Sequence, residues 1–199
     1  MKKQIIVIGG GWVFDTYENY VSFLSSYEIT KESFSKKNWI YSLDSLLPDF
    51  DVLIPEMPNK NNARYSEWKI WFDKILAISN QEIVLIGRSL GGIFLMKYLS
   101  ENKITKNILA FHCVGAPFDA EGAQESLGDF VLYEPLSGVF DQVENIFMYF
   151  SKDDPITPFQ NIDKFKQELP NAHYLVFEDR GHFQSLEFPE IVENIKLIV

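Results

Sequence analysis

The sequence predicts an α/β protein with one sheet of about six mostly parallel strands and helices on both faces. Short apolar segments alternate along the chain with longer segments whose apolar residues recur at helical spacing. Several of the short segments are rich in β-branched residues, which is typical of strands buried on both faces. Because parallel strands need crossover connections, this alternation places helices on both faces of a single sheet.

The elements follow one another in a regular order. The predicted strands are residues 4–8, 51–54, 82–86, 107–114, 145–150 and 172–177. The predicted helices are residues 16–25, 39–47, 64–78, 93–99, 159–169 and 189–198. Residues 26–37 are polar and are expected at the surface. Residues 118–142 are irregular and predict a short lid-like insert, within one domain that spans residues 1–199.

Composition excludes several functional classes. Twenty-eight acidic residues against eighteen Lys and Arg give a formal net charge of −10, which argues against binding to nucleic acid or to anionic lipid. No segment has the length of a membrane span, and Cys113 is the single cysteine. A chain without an intrachain disulfide fits a reducing compartment, so we expect a cytoplasmic location.

The pattern Gly-x-Ser-x-Gly at residues 87–91 lies between a predicted strand and a predicted helix. This is the pattern of a nucleophile elbow, in which a sharp turn exposes the serine hydroxyl above the end of the sheet. Ser89 is therefore the candidate nucleophile. The backbone N–H of Leu90, at the helix N-terminus, is a candidate donor to an oxyanion.

Three consecutive glycines, residues 9–11, follow the first predicted strand. A dinucleotide fingerprint would need a third glycine where Phe14 stands, and a bulky ring there blocks close packing of helix and strand. We instead expect the loop to supply a second oxyanion donor, with Gly10 favoured and Gly11 next. No cluster of His, Cys and carboxylate residues has metal-ligand spacing, so neither a cofactor nor a metal is expected.

One histidine follows a predicted strand at the end of the sheet where catalytic groups collect. His182 lies in the loop after residue 177, whereas His112 lies within a strand and His173 at the start of one. His112 and Cys113 do not form a catalytic pair, because adjacent strand residues point to opposite faces. The tryptophans of residues 64–78 are interpreted as core residues.

The acidic partner is one of two neighbours, Asp153 and Asp154, at the end of the fifth predicted strand. The chain order Ser, Asp, His is that of a Ser-His-Asp triad on an α/β-hydrolase fold. Pro155 restricts the backbone of Asp154 to extended geometry, which would hold its carboxylate in one direction. The other aspartate is interpreted as a solvated neighbour.

Three segments together resemble the small serine hydrolases typified by retinoblastoma-binding protein nine and its bacterial relatives. They are Gly-Arg-Ser-Leu-Gly-Gly at 87–92, Ser-Lys-Asp-Asp-Pro-Ile-Thr-Pro-Phe at 151–159 and Gly-His-Phe-Gln-Ser-Leu-Glu-Phe at 181–188. The resemblance extends over most of the chain and implies a compact α/β-hydrolase. It further implies that Asp154 is the acid and His182 the base. Two features depart from it: Arg88 stands where histidine is common, and residues 28–39 are additional.

These features predict a carboxylesterase-like serine hydrolase (EC 3.1.1 favoured) that acts on small-molecule esters, with small amides or peptides as the next candidates. The alternative, from another functional class, is a non-catalytic α/β-hydrolase-fold module that binds a protein partner. An intact set of Ser89, Asp154 and His182 weighs against that alternative, because binding alone would not need all three.

Overall fold

Six parallel strands form one sheet, in the order β2-β1-β3-β4-β5-β6, in the computed structural model, which describes residues 2–31, 38–121, 126–133 and 135–198. The strands are β1 (Lys3–Ile8), β2 (Phe50–Leu53), β3 (Glu82–Arg88), β4 (Asn107–Val114), β5 (Ile146–Ser151) and β6 (His173–Phe177). The helices are α1 (Tyr17–Ser26), α2 (Leu43–Leu46), α3 (Tyr65–Ile78), α4 (Leu90–Glu101), α5 (Asn161–Glu168) and α6 (Pro189–Lys196). The predicted fold class is confirmed.

The core lies on both faces of the sheet because successive strand residues point to opposite sides. Leu85 of β3 belongs to a cluster that includes residues of α3, α4 and α5. Its neighbour Ile86 belongs to a second cluster with residues of α2 and α6. Residues 83–86 are fully buried, as the run of apolar, β-branched residues predicts for a central parallel strand. The sheet therefore holds the carboxyl end of β3 in a rigid position.

Two local predictions were wrong. Residues 39–47, predicted as one helix, form a 3₁₀ turn (Trp39–Ser42) followed by the short helix α2. On α3, Trp68 is buried but Trp71 is 44% exposed, because it lies at the edge of the apolar stripe formed by Tyr65, Trp68, Phe72, Ile75 and Leu76. Trp68 is thus a core residue, as expected, and Trp71 is a surface residue.

The predicted insert, residues 118–142, packs against helix α4 where it is described. It contains two 3₁₀ turns, Gly128–Phe130 and Ser137–Val139. The Lys97 ammonium, buried on α4, donates hydrogen bonds to the backbone oxygens of Asp129 (2.9 Å) and Val131 (2.8 Å). Residues 122–125 and 134 of this insert, and residues 32–37 of the predicted surface segment, lie outside the described residues. The role of the insert as a lid stays a prediction.

None of the helices in the described part of the chain is both long enough and apolar enough to cross a membrane.

Candidate active site

Ser89 occupies a sharp turn between β3 and α4. Its backbone has φ 54° and ψ −124°, a strained conformation for a residue with a side chain. The glycines on either side permit the turn. A Cβ on Gly91 would lie 2.1 Å from the carbonyl oxygen of Ile8, and one on Gly87 would lie 2.6 Å from the Gly91 oxygen. Leu90 begins α4, so its N–H has no partner within the helix.

His182 lies in the loop between β6 and α6, and Asp154 in the turn after β5. The two carboxylate oxygens of Asp154 lie 2.9 and 3.0 Å from Nδ1 of His182. Both side chains are buried, with exposed fractions of 2% for Asp154 and 7% for His182. A buried carboxylate at this distance accepts a hydrogen bond from Nδ1–H and so fixes the tautomer of the ring. In this tautomer Nε2 has no proton and can accept one.

The Asp154 carboxylate is itself oriented by backbone donors. Its Oδ1 accepts hydrogen bonds from the N–H groups of Ile156 (2.8 Å) and Thr157 (3.0 Å). The Thr157 hydroxyl in turn donates to the carbonyl oxygen of Gly115 (2.9 Å). Gly115 has φ 54°, and a Cβ there would lie 3.5 Å from Oδ2 of Asp154 and 3.6 Å from Nδ1 of His182. The supporting role of Thr157 and Gly115 was not predicted from the sequence.

Asp153 has a different position from its neighbour and is more than a solvated residue, contrary to expectation. Its Oδ1 accepts hydrogen bonds from the Ser151 hydroxyl (2.5 Å) and from the N–H of Gly181 (2.8 Å). The Ser151 oxygen also accepts the N–H of Arg180 (2.9 Å). Asp153 is exposed, and these hydrogen bonds lower the pKa of its carboxyl group. It ties the turn after β5 to the loop that carries His182.

The residue after the histidine also has left-handed backbone geometry. Phe183 has φ 51°, is 2% exposed and contacts Phe177 and Phe188 through its ring. Its carbonyl oxygen accepts a hydrogen bond from the indole N–H of Trp39 (3.0 Å). Packing of this side chain therefore holds the His182 loop, a role that no local sequence signal indicates.

The glycine loop after β1 lies directly against Ser89, the candidate nucleophile. A Cβ on Gly10 would lie 3.2 Å from the Cβ and 3.6 Å from the Oγ of Ser89. A Cβ on Gly11 would instead lie 2.6 Å from the carbonyl oxygen of Lys60. The N–H of Trp12 is occupied, because it donates to the Lys60 oxygen at 2.7 Å. The Gly10 position thus faces the Ser89 side chain, whereas the Gly11 position faces the Lys60 carbonyl oxygen.

A cavity of about 410 Å³ joins the predicted site residues. Ser89, His182, Gly10, Gly11 and Arg88 all line it. A small second cavity beside Ser89 is lined by Leu90 and by Ser126 and Leu127 of the predicted insert, among others. The structure therefore brings the candidate nucleophile, the candidate histidine and both glycines to one opening at the carboxyl end of the sheet.

Other reactive side chains lie away from this opening. His112 is fully buried against the rings of Phe147 and Tyr149 on β5, and burial lowers its pKa to about 3. Cys113 is buried on the opposite face of β4, and burial raises the pKa of its thiol. Among the described residues, no group of three or more His, Cys, Asp or Glu side chains is arranged to hold a metal ion.

Comparison with known proteins agrees with the sequence motifs. No family model matches the sequence. The serine hydrolase RBBP9 of Rattus norvegicus is 27% identical over 168 residues, which cover 79% of this chain and 83% of the rat protein. The resemblance to this group of serine hydrolases is confirmed.

Solved structures show the same architecture. The ydeN gene product of B. subtilis is similar with a TM-score of 0.78 at 17% identity, over 100% of this chain and 98% of that one. A lipase-esterase related protein of Clostridium acetobutylicum has a TM-score of 0.62 at 12% identity, over 99% of this chain and 94% of that one. The chain has the α/β-hydrolase fold. The candidate residues at the ends of β3, β5 and β6 follow one another as Ser, Asp and His, which is the chain order of the triad in α/β-hydrolases.

Proposed function

We propose that the protein is a serine hydrolase that cleaves small carboxylic esters through an acyl-enzyme, in the manner of EC 3.1.1 carboxylesterases. The observation that carries the proposal is the buried contact of Asp154 with Nδ1 of His182. His182 lines the same cavity as Ser89, whose backbone is strained. This arrangement supplies a nucleophile, a base and a group that orients the base. The similarity of the chain to the serine hydrolase RBBP9 supports hydrolysis by a serine nucleophile.

In the proposed reaction, Ser89 Oγ attacks the ester carbonyl while Nε2 of His182 accepts its proton. Asp154 stabilises the imidazolium that forms, because its carboxylate lies 2.9 Å from Nδ1. The oxyanion is bound by the backbone N–H of Leu90 and by that of Gly10, with Gly11 as the next candidate. His182 then protonates the departing alcohol and activates the water that releases the acid. These residues supply every proton transfer, so the proposed reaction needs neither a cofactor nor a metal.

The proposed substrates are small molecules. The cavity that contains Ser89 and His182 has a volume of about 410 Å³, which is within the usual range for small-molecule sites. Amides and short peptides would react by the same steps and are the next candidates. We propose a cytoplasmic location, on the basis of the single, buried Cys113.

The test combines covalent labelling with ester turnover. Ser89 should react with a fluorophosphonate probe, and the protein should hydrolyse p-nitrophenyl acetate. Ser89→Ala should abolish labelling and lower kcat by roughly 10⁴- to 10⁶-fold, as triad deletions do elsewhere. Ser100→Ala is the matched control, because Ser100 lies at the other end of α4 and its hydroxyl bonds only locally, to the Lys97 oxygen.

Two results would contradict the proposal. Retention of more than a tenth of the activity in Ser89→Ala would show that another group is the nucleophile. Absence of both labelling and turnover in the folded wild-type protein would favour the non-catalytic binding module.

A further inference from the structure

Arg88 lies at the junction of two cavities. One is the cavity that contains Ser89 and His182. The other has a volume of about 190 Å³ and lies between the glycine loop, the segment after β2 and the 3₁₀ turn at Trp39–Ser42. Arg88, Lys60 and Gly10 line both cavities. A molecule that reaches from the nucleophile into the outer cavity would therefore pass these two cationic side chains.

The guanidinium of Arg88 has no carboxylate partner among the described residues. Within that part of the chain the Arg88 guanidinium forms neither an ion pair nor a side-chain hydrogen bond. Its Nε is buried without a hydrogen-bond partner. The other two arginines of the chain are bonded: Arg64 donates to the carbonyl oxygen of Phe14, and Arg180 pairs with Glu190. A partly buried guanidinium without a partner destabilises the fold, because its lost hydration is not replaced.

Burial lowers the pKa of Arg88, and the charge of Asp154 opposes this effect. The guanidinium remains the charged form at neutral pH, since an arginine in a protein does not lose its proton. It is therefore a fixed cation beside the nucleophile of a chain whose net charge is −10. Its planar fork of donors matches a carboxylate in geometry as well as in charge.

We propose that Arg88, assisted by Lys60, binds a carboxylate of the substrate, so that the preferred substrates are half-esters of short dicarboxylic acids. The inference rests on the proposed serine hydrolase function and names its substrate class. The ester carbonyl lies at Ser89, and the free carboxylate of the acyl group lies at Arg88. The acyl C–O bond is cleaved, water supplies the hydroxyl group, and the products are an alcohol and a dicarboxylate.

One acidic residue also lines the outer cavity. The Glu56 side chain is 69% exposed, and its Oε1 lies 3.7 Å from the Lys60 ammonium. Solvent screens a charge at such a position. Lys60, at 49% exposure, is for the same reason expected to contribute less than Arg88.

The first test compares matched substrates. Monoethyl and diethyl esters of succinic, glutaric and adipic acids differ only in whether the second carboxyl is free, and a pH-stat or chromatographic assay follows both. For at least one chain length, kcat/KM per ester group should be about 10- to 100-fold higher for the monoethyl ester, as expected for a charge-assisted hydrogen bond. Equal values at all three lengths would overturn the inference.

Variants locate the preference. In Arg88→Gln the ratio of the two kcat/KM values should fall to about one, and this ratio cancels any general damage to the triad. Arg88→Lys should retain part of the preference, because the charge remains and the fork is lost. Lys196→Gln is the control: it removes the same charge from the exposed end of α6, lines neither cavity, and should leave the ratio unchanged. An undiminished ratio in folded Arg88→Gln would refute the assignment to Arg88.

A binding measurement separates this inference from the proposed function. Calorimetry on Ser89→Ala should show the monoethyl ester of the preferred chain length binding at least tenfold more tightly than its diethyl ester, and Arg88→Gln in that background should remove the difference. Labelling of Ser89 without this difference would overturn the inference and leave the proposed function standing. The difference without labelling or turnover would refute the proposed function, and with it the half-ester substrates, and would leave only the binding of a carboxylate at Arg88. Tighter binding of ethyl phosphate than of every monoethyl ester would overturn the assignment to a carboxylate.

Discussion

Replacement of Asp154 by asparagine tests the orientation of His182, the proposed catalytic histidine. Oδ1 of Asp154 accepts two backbone N–H groups, those of Ile156 and Thr157. An asparagine must place its oxygen there, because an amide nitrogen cannot accept those bonds. Its NH₂ group then takes the position of Oδ2, 2.9 Å from Nδ1 of His182. The imidazole is forced into the tautomer whose Nε2 carries a proton and cannot accept one from Ser89.

The expected loss follows from this wrong tautomer. A comparable change in a serine protease costs about 10⁴ in kcat, equivalent to about 5.4 kcal/mol in the activation barrier. We expect a loss of that order for Asp154→Asn on p-nitrophenyl acetate, with a similar decrease in the rate of fluorophosphonate labelling. Nitrogen-15 NMR of the histidine ring would report the change of tautomer directly, independently of turnover.

Asp153→Asn is the matched control for Asp154→Asn. Asp153 accepts its hydrogen bonds from Ser151 and Gly181 through Oδ1 alone, and an asparagine retains that oxygen. We therefore expect a decrease in kcat of less than about tenfold, because an exposed carboxylate supplies only a screened field. Circular dichroism should show both variants folded. A larger loss in Asp153→Asn than in Asp154→Asn would refute the assignment of Asp154 as the residue that orients His182.

Two further predictions concern the scaffold. Burial lowers the pKa of His112 to about 3 in the folded protein. As the pH falls below 6.5, His112 therefore binds a proton in the unfolded state but not in the folded state. The free energy of unfolding should lose about 1.4 kcal/mol per pH unit from this group between pH 6 and 4, and urea titrations of His112→Phe should show a correspondingly smaller slope; an equal slope would contradict this. Gly91→Ala should destabilise by about 3 kcal/mol or prevent folding, since its Cβ would lie 2.1 Å from the Ile8 oxygen, whereas Gly9→Ala, with nothing within 4 Å, should be tolerated in thermal unfolding.

Much of the candidate site could be located from sequence because its residues follow predicted strands. Ser89 is marked by Gly87 and Gly91 on either side of it. Gly91 must be small because α4 approaches the end of β1, and Gly87 because α4 folds back against β3. His182 could be selected by elimination, because His112 and His173 lie within or at the start of strands. The order of elements placed all three candidate loops at one edge of the sheet, since parallel strands share a carboxyl end.

The contacts of the paired aspartates could not be derived from sequence periodicity. Asp153 and Asp154 lie in an irregular turn, where side-chain direction depends on the individual backbone angles. The extended geometry imposed by Pro155 favoured Asp154, but the bond from Asp153 to Gly181 requires the His182 loop to lie beside the turn. The exposure of Trp71 was mispredicted for a related reason: the edge of an apolar stripe is buried only where another element covers it.

The sequence by itself determined the class of fold and the set of candidate reactive residues, because both depend on local patterns: hydrophobic periodicity, strand ends and the glycines of a tight turn. The tertiary structure alone decided which atoms meet. Oδ2 of Asp154 lies against Nδ1 of His182, the carbonyl oxygen of Phe183 accepts a hydrogen bond from the indole N–H of Trp39, and Arg88 lies between two cavities. Each of these depends on segments far apart in the chain, whose relative placement is determined by the packing of the whole sheet and its helices.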